Sequence, residues 1–489
     1  MKALRVLLVL AASAAIGGML YAVALRVPYP YDLEWMEGGS LTHALRISQR
    51  LPTYAPPTVD FVPFLYTPFY PLLVSLIGVG YLQARLLSIG AFLLACLLTF
   101  RFARREGGSS VAALIAVAIP CAAYASTGVW YDLARADSLF LLLITAASLL
   151  AFSLRDSVGG AISAALLLVL AFFTKQTASP FMIAIGLFWL VANWRMALVF
   201  GATLAVTGLP LLYSFYKTTD GWFWTYVFKL HQQHDFYPAR AFLGTPMRLL
   251  LLLGPALLLL PIGLWKARSK GIYFALYMAA VGVVVACLGF GTQWAWHNAF
   301  IPGIFFPSLA IATMVGRLES HKGWGVTAYV VALLAIGLAP GALLKPTSSL
   351  YPHDWGIHAD APTGYRLTPY VPTRADREKG DELIAKLRAT PGDVLIPFHP
   401  FYAHLAGKPC FLHRMGVLDV WRAGLGIPKG LQDGFQKRRF SVVVMDDKID
   451  GTWHVFPGLQ QNYKSVDNLR GPATFAGAIT SPRYWMTPK

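Results

Sequence analysis

Eleven stretches of predominantly apolar residues interrupt the first 341 positions, near 4–26, 84–100, 110–127, 136–153, 158–174, 178–193, 196–214, 247–264, 271–290, 299–316 and 324–341. Stretches of about 20 such residues match the hydrocarbon thickness of a bilayer. In lipid, a single segment can satisfy its own backbone groups only as a helix. A soluble alternative fails on composition: 56% of the 489 residues are hydrophobic and 13% charged, against roughly 25% charged in ordinary soluble proteins. Disorder fails because the chain is too apolar. Lys2 and Arg5 ahead of the first apolar run resemble a signal peptide, but that run is long for one. It is read as an uncleaved first helix.

Short basic tracts set the orientation. With a cytosolic N-terminus, Arg101/Arg104/Arg105, Arg155, Arg195, Lys266/Arg268/Lys270 and Arg317/Lys322 all fall inside. Residues 27–83, 128–135, 215–246, 291–298 and everything after 341 then fall outside. The apolar stretch 66–82 would invert the Arg101–Arg105 tract if it crossed, so an interfacial helix on the outer leaflet is expected there. This parity places the chain in the inner (plasma) membrane, N-terminus cytosolic, with a periplasmic or extracellular tail. Of eleven acidic residues before 342, only Glu106, Asp156 and Glu319 are cytosolic. Asp32, Glu34, Glu37, Asp60, Asp132, Asp137, Asp220 and Asp235 face outward. Charges next to apolar spans are costly unless paired or used, so polar work concentrates on one face. The net charge of +17 does not imply nucleic acid, because the basic residues sit in topology tracts without interleaved aromatics. Cys96, Cys121, Cys287 and Cys410 have no metal spacing and form no disulfide framework.

After 341 the pattern changes. A Pro- and Tyr-rich linker leads to a helix through 381–387, a strand at 394–398, a helix near 431–438 and a β-branched strand at 441–445. The expected architecture is therefore an α-helical polytopic membrane module of about eleven spans, residues 1–341. A C-terminal extracytoplasmic α/β domain, 342–489, follows it.

Four outer tracts could carry chemistry. The first loop reads Tyr29-Pro30-Tyr31-Asp32-Leu33-Glu34-Trp35-Met36-Glu37, three carboxylates within six residues. They are either a general base with a second positioning acid or acids favoured by a helix N-terminus. The second reads Trp130-Tyr131-Asp132-Leu133-Ala134-Arg135-Ala136-Asp137-Ser138. Asp137 and Ser138 can cap the next helix, while Arg135 needs an anion, either Asp32 or Glu34 or a ligand phosphate. In the third, Thr174-Lys175-Gln176-Thr177, Lys175 is a snorkelling residue or a phosphate contact. The fourth, Trp294-Ala295-Trp296-His297-Asn298, is an aromatic belt or a substrate donor. The loop 215–246 holds His231 and His234, three apart, but two histidines make a weak metal site. An interfacial amphipathic helix is expected there instead.

Together these residues resemble the GT-C class of polytopic glycosyltransferases. The similarity is to the bacterial branch related to protein O-mannosyltransferases (glycosyltransferase family 39-like) and the lipid A aminoarabinose transferase. It rests on Asp32 and Glu34, here split by Leu33, and on the following helix 38–49, Leu51-Pro52-Thr53-Tyr54 and Tyr66-Thr67-Pro68-Phe69-Tyr70. Arg135-Ala136-Asp137-Ser138 and Thr174-Lys175-Gln176 extend it over roughly 25–320. The resemblance implies inverting transfer of a sugar from a polyprenyl-phosphate-linked donor to a glycan, lipid or protein acceptor outside the membrane. It implies Asp32 as base with Glu34 beside it, and Lys175, Arg135 and Arg85 as donor-phosphate contacts. Glu37, Asp137, Gln176, His297 and Asn298 are the candidate substrate contacts. A divalent cation is compatible with the class but not required by it. The competing reading is a transporter or lipid-linked-sugar flippase, for which the internal repeats of many transporters are missing. A third is a non-catalytic assembly or receptor protein working through its tail.

Overall fold

The computed structural model describes residues 1–321, 323–339, 366–446 and 453–489. The expected boundary at 341, the linker after it and Lys322 lie outside the described residues. All eleven expected spans coincide with helical segments. Five are long and apolar enough to cross a membrane alone: Lys2–Arg26, Tyr81–Gly107, Trp194–Thr218, Lys270–Gly291 and His297–Leu318. A sixth is a pair, Arg240–Leu257 and Leu259–Lys266, bent by 47°. Pro261 follows that bend, where its ring and missing N–H deprive the Leu257 carbonyl of its i→i−4 partner. The other five, Ser110–Ala122, Asp137–Ser153, Val158–Thr174, Gln176–Ala192 and Trp324–Leu338, are shorter. Among the described residues there are thus eleven apolar segments, while five or six meet the length for a full crossing.

Helix His297–Leu318 runs through the middle of the bundle and is buried along most of its length. Small residues let its neighbours approach: a Cβ at Gly316 would stand 2.8 Å from Gly107 O, and one at Gly303 2.8 Å from Ala286 Cβ. Two short helices, Glu37–Ser48 and Phe69–Ile77, lie in the first loop. The second has nine residues, far too few to span, as the charge parity requires. The expected amphipathic helix in 215–246 is instead broken. A turn at Trp222–Trp224 leads into wide π-helical turns at Thr225–Leu230, a 3₁₀ turn at His231–Gln233 and a further π turn at Arg240–Gly244. Gly221, at φ +77 in the left-handed region, starts this irregular path.

Charges sort to two ends of the bundle. At one end Arg5 pairs with Glu319, Arg105 with Glu106 and Arg155 with Asp156. At the other end the loops around residues 32, 132, 175, 234 and 298 converge, and a sheet domain sits on them. Its strands are β1 (Asp393–Leu395), β2 (Phe440–Met445), β3 (Tyr463–Asn468) and β4 (Tyr484–Pro488). Their order is β1-β2-β4-β3, with β1 and β2 parallel and the other pairs antiparallel. The helices Arg374–Ala389 and Leu431–Gln436 flank the sheet where the sequence pattern expects them.

The domain is stitched to the first loop by backbone pairing. Phe475 N and Ala476 N both donate to Leu33 O, at 2.7 and 2.9 Å, and Val59 N donates to Lys429 O at 2.9 Å. Tyr31 OH donates to Asp381 at 2.6 Å. The tail is therefore one wall of whatever the first loop builds.

Candidate active site

The first loop folds around its own acids. Glu37 opens the helix Glu37–Ser48 and accepts from Leu33 N at 2.7 Å, closing a turn on the segment before it. Asp32 Oδ1 accepts from Gly38 N at 2.8 Å, satisfying one of the orphan donors of the first helical turn. The approach is close, since a Cβ on Gly38 would meet Asp32 Oδ1 at 3.2 Å. These acids satisfy a helix N-terminus first.

Three expected site residues are consequently turned away from solvent. Asp32 is 1% exposed. Beside Gly38 N, its carboxylate holds Tyr81 OH at 2.8 Å and His399 Nδ1 at 2.6 Å. His399 Nε2 stands 2.8 Å from Asp446, so the ring bridges two carboxylates. Burial works against charging this ring, but Asp446 and Asp32 outweigh it and raise its pKa to about 10. Burial pushes the Asp32 carboxyl up, against the pull of His399. Glu37 is fully buried and saturated by Arg85 Nη2 at 2.6 Å and Ala134 N at 2.6 Å. Burial alone would raise its pKa; Arg85 and the backbone donors hold it below the usual range. Arg85 spends its other nitrogen donors on Tyr29 O and Tyr31 O, at 2.5 and 2.6 Å.

A cavity of about 1180 Å³ opens beside this network, bounded by the loops at this end of the bundle and by the sheet domain. Glu34, Arg135, Asp137, Lys175, Gln176 and Asn298 line it; Asp32, Glu37, Arg85 and His297 do not. The other four expected site residues lie behind the cavity wall rather than on it. Arg85 is held in the first loop by Glu37 and by the Tyr29 and Tyr31 carbonyls, and Glu37 is held by that same guanidinium. Asp32 is enclosed by Tyr81, His399 and Gly38. His297 is 1% exposed and packs beside Phe290 and Phe300.

The residues that do line the cavity form two charge pairs. Arg135 Nη1 donates to Glu34 Oε2 at 2.9 Å and Nη2 to Tyr66 OH at 2.9 Å. Burial raises the Glu34 pKa to about 7, with Arg135 pulling the other way and Glu37 adding to the rise. Gly477, at φ +67, brings the tail over this carboxyl; a Cβ there would sit 3.1 Å from Glu34 Cγ. In the second pair, Asp137 Oδ1 accepts from Lys175 Nζ at 2.5 Å and from Asn298 Nδ2 at 2.9 Å. Trp130 Nε1 donates to Asp137 Oδ2 at 2.9 Å. Gln176 ties the walls together, donating to Leu65 O at 2.5 Å and Val227 O at 3.3 Å.

Sequence reading missed Arg240, Arg414, Arg422 and Asp419, which also line the cavity. Three of them belong to the tail, whose fold over the first loop left no local signal; the composition of the 414–422 helix is that of any amphipathic surface. The lining carries Arg135, Lys175, Arg240, Arg414 and Arg422 against Glu34, Asp137 and Asp419. That excess favours an anionic ligand group. Among the described residues no three His, Cys, Asp or Glu side chains converge as metal ligands. Glu34 and Asp137 are each already neutralised by a cation.

No protein-family model matches the chain, and no curated protein matches it by sequence. Solved structures do match over almost its whole length. ArnT from Cupriavidus metallidurans bound to undecaprenyl phosphate superposes with a TM-score of 0.61 at 14% identity, covering 98% of this chain and 97% of that one. The apo state of the same protein gives 0.59 at 12% identity over the same shares. The chain has the GT-C fold. At this identity the likeness concerns architecture: a multi-pass membrane bundle with a sheet domain seated over its loops. The GT-C arrangement thus joins the eleven apolar segments and the tail in one fold, although the sequences share little.

Proposed function

We propose that the chain is an inverting glycosyltransferase that moves a sugar from a polyprenyl-phosphate-linked donor to an acceptor hydroxyl on the outer face of a membrane. The observation that carries this reading is the pairing, within one cavity of a GT-C fold, of the buried Glu34 carboxylate with an excess of fixed cations. The structural relative ArnT was solved with undecaprenyl phosphate, which supports a lipid-linked donor here. The positive-inside tracts support a cytosolic N-terminus and an outward-facing tail, with 1–341 as membrane module and 342–489 as its outer cover.

In this reading Glu34 is the base. Its carboxylate takes the proton of the acceptor hydroxyl as that oxygen attacks the anomeric carbon. The bond from that carbon to the donor phosphate breaks on the opposite face, which inverts the configuration. Negative charge develops on the departing phosphate, and Lys175 and Arg135 meet it with their remaining N–H donors. A base with a pKa near the working pH is the most effective one. Asp32 acts as a positioning residue, fixing through Gly38 and His399 the loop that presents Glu34. Asp137 and Asn298 orient Lys175. The acceptor is a glycan, lipid or protein hydroxyl, reached from the side of the sheet domain.

The test is reconstitution of the full chain in proteoliposomes with undecaprenyl-phosphate-linked sugars and a panel of hydroxyl acceptors. Release of undecaprenyl phosphate together with labelled acceptor is the expected result. Passage of the lipid-linked sugar across the bilayer without bond cleavage would replace this reading by a flippase.

A further inference from the structure

The cavity has a second polar end that the mechanism leaves unused. It forms where the irregular loop after residue 230 meets the helix Arg414–Arg422 of the sheet domain. His231 and His234 place their ring centroids 5.2 Å apart. His234 Nε2 stands 3.4 Å from Asp419 Oδ1, at ion-pair range but misaligned for a hydrogen bond. All three side chains line the cavity. His234 Nε2 and Asp419 Oδ1 face one another, while His231 Nδ1 and His234 Nδ1 are buried without a hydrogen-bond partner among the described residues. Buried polar atoms are almost always satisfied, and an exception needs a reason. Two such imidazole nitrogens on one cavity wall, beside an ion pair that also lines it, point to a ligand that supplies the partners.

Their chemistry selects the class. A metal ion is disfavoured, because no three ligating side chains converge among the described residues. A phosphate is disfavoured by the Asp419 carboxyl. Burial, with His234 and Lys175 nearby, lowers the pKa of His231 to about 4, so its imidazole is neutral. A neutral imidazole offers one donor and one acceptor, and a carboxyl adds acceptors. A hydroxyl, which both donates and accepts, complements each of them. Trp294 supplies a flat apolar surface on the same wall. It is 47% exposed, lines the cavity and sits at φ 64, a conformation a bulky residue rarely holds. The Arg422 guanidinium lies 4.5 Å from the centroid of its ring.

We propose that His231, His234 and Asp419, beside Trp294, form a subsite that hydrogen-bonds adjacent hydroxyls of one sugar ring. The proposal rests on the transferase reading above, and the sugar comes either from the donor or from a glycan acceptor. Binding to the purified full chain separates these sources. The probes are undecaprenyl phosphate, undecaprenyl phosphomannose, undecaprenyl phosphoglucose and an immobilised array of bacterial-type oligosaccharides, each tested against wild type, Asp419→Asn and His234→Phe. For a donor subsite, a sugar-bearing lipid binds at least tenfold tighter than undecaprenyl phosphate, and both variants erase that gain while keeping undecaprenyl phosphate affinity. For an acceptor subsite, the variants erase array binding and leave the lipids unchanged. A wild type without a sugar-dependent gain and without array binding overturns the proposal, as do variants that retain both. Equal loss of undecaprenyl phosphate also overturns it, since the subsite then reads phosphate. A wild type that binds no undecaprenyl phosphate at all defeats the transferase reading, and array binding still decides the subsite. Should the variants fail to fold, carbethoxylation of His231 and His234 in the wild type decides. Sugar-bearing probes protect these rings and undecaprenyl phosphate does not; equal protection, or none, counts against the subsite.

Discussion

At the residue scale, the three acids of the first loop divide by environment rather than by order in the motif. Asp32, Glu34 and Glu37 are all buried, and of the three only Glu34 lines the cavity. As the proposed base, with a pKa raised to about 7, Glu34 gives a pH prediction. The base works deprotonated, so kcat rises with pH through about 7 and is lost below it. Arg135 pulls that pKa down, so Arg135→Gln moves the rise to higher pH; an unmoved profile would show that another group titrates. Arg85 gives a contrasting prediction. Removing one partner of a buried ion pair costs about 3–5 kcal/mol, so Arg85→Ala lowers the melting temperature of the protein rather than its affinity for undecaprenyl phosphate. His399 supplies a second pH signature. Its folded pKa of about 10 lies above the ordinary 6.5, so its stabilisation is complete below about 6.5 and disappears as pH rises through 10. Thermal melting of wild type should fall across that window, and the fall should be smaller in His399→Asn.

At the element scale, what could be read from sequence was what repeats along the chain. The eleven helical segments, the short helices after residue 37 and near 69, and the α/β pattern of the tail all follow from local periodicity. The place of Lys175, Arg135, Asp137 and Asn298 at the loop end of the bundle was legible too, because a charge or amide at the edge of an apolar span stands out. What remained hidden were contacts between elements far apart in sequence. Nothing near Arg85 announces that its guanidinium turns back to Glu37, and nothing near His399 announces Asp32. The loop 215–246 misled for a related reason: its aromatic pattern fits an interfacial helix, yet packing against the first loop and the tail breaks it into π and 3₁₀ turns. Helix packing gives a prediction at this scale. Helices Tyr81–Gly107 and Ile301–Leu318 touch through Gly107 and Gly316. Gly316→Leu forces them apart and destabilises the bundle by roughly 1–3 kcal/mol, read as a lowered melting temperature in detergent. An unchanged melting temperature would mean that the contact is loose.

At the scale of the whole molecule, the sheet domain and the membrane module share one cavity, and the tail supplies Arg414, Asp419, Arg422 and the Gly477 turn to its wall. Removal of 366–489 should therefore abolish transfer, even where the truncated bundle still inserts in the membrane. Persistent transfer by the truncated chain would show that the tail is accessory. The basic end of the bundle lies opposite the cavity, so a reporter fused after Lys489 should be active outside and one fused before Met1 should not. In the proposed reaction Glu34, and not Asp32, deprotonates the acceptor. Single-turnover sugar transfer in proteoliposomes by Glu34→Gln tests it most directly, with undecaprenyl phosphate affinity measured on the same preparation. The expected result is a loss of about 10²–10⁴-fold in rate with affinity unchanged. Transfer by Glu34→Gln at the wild-type rate would contradict it.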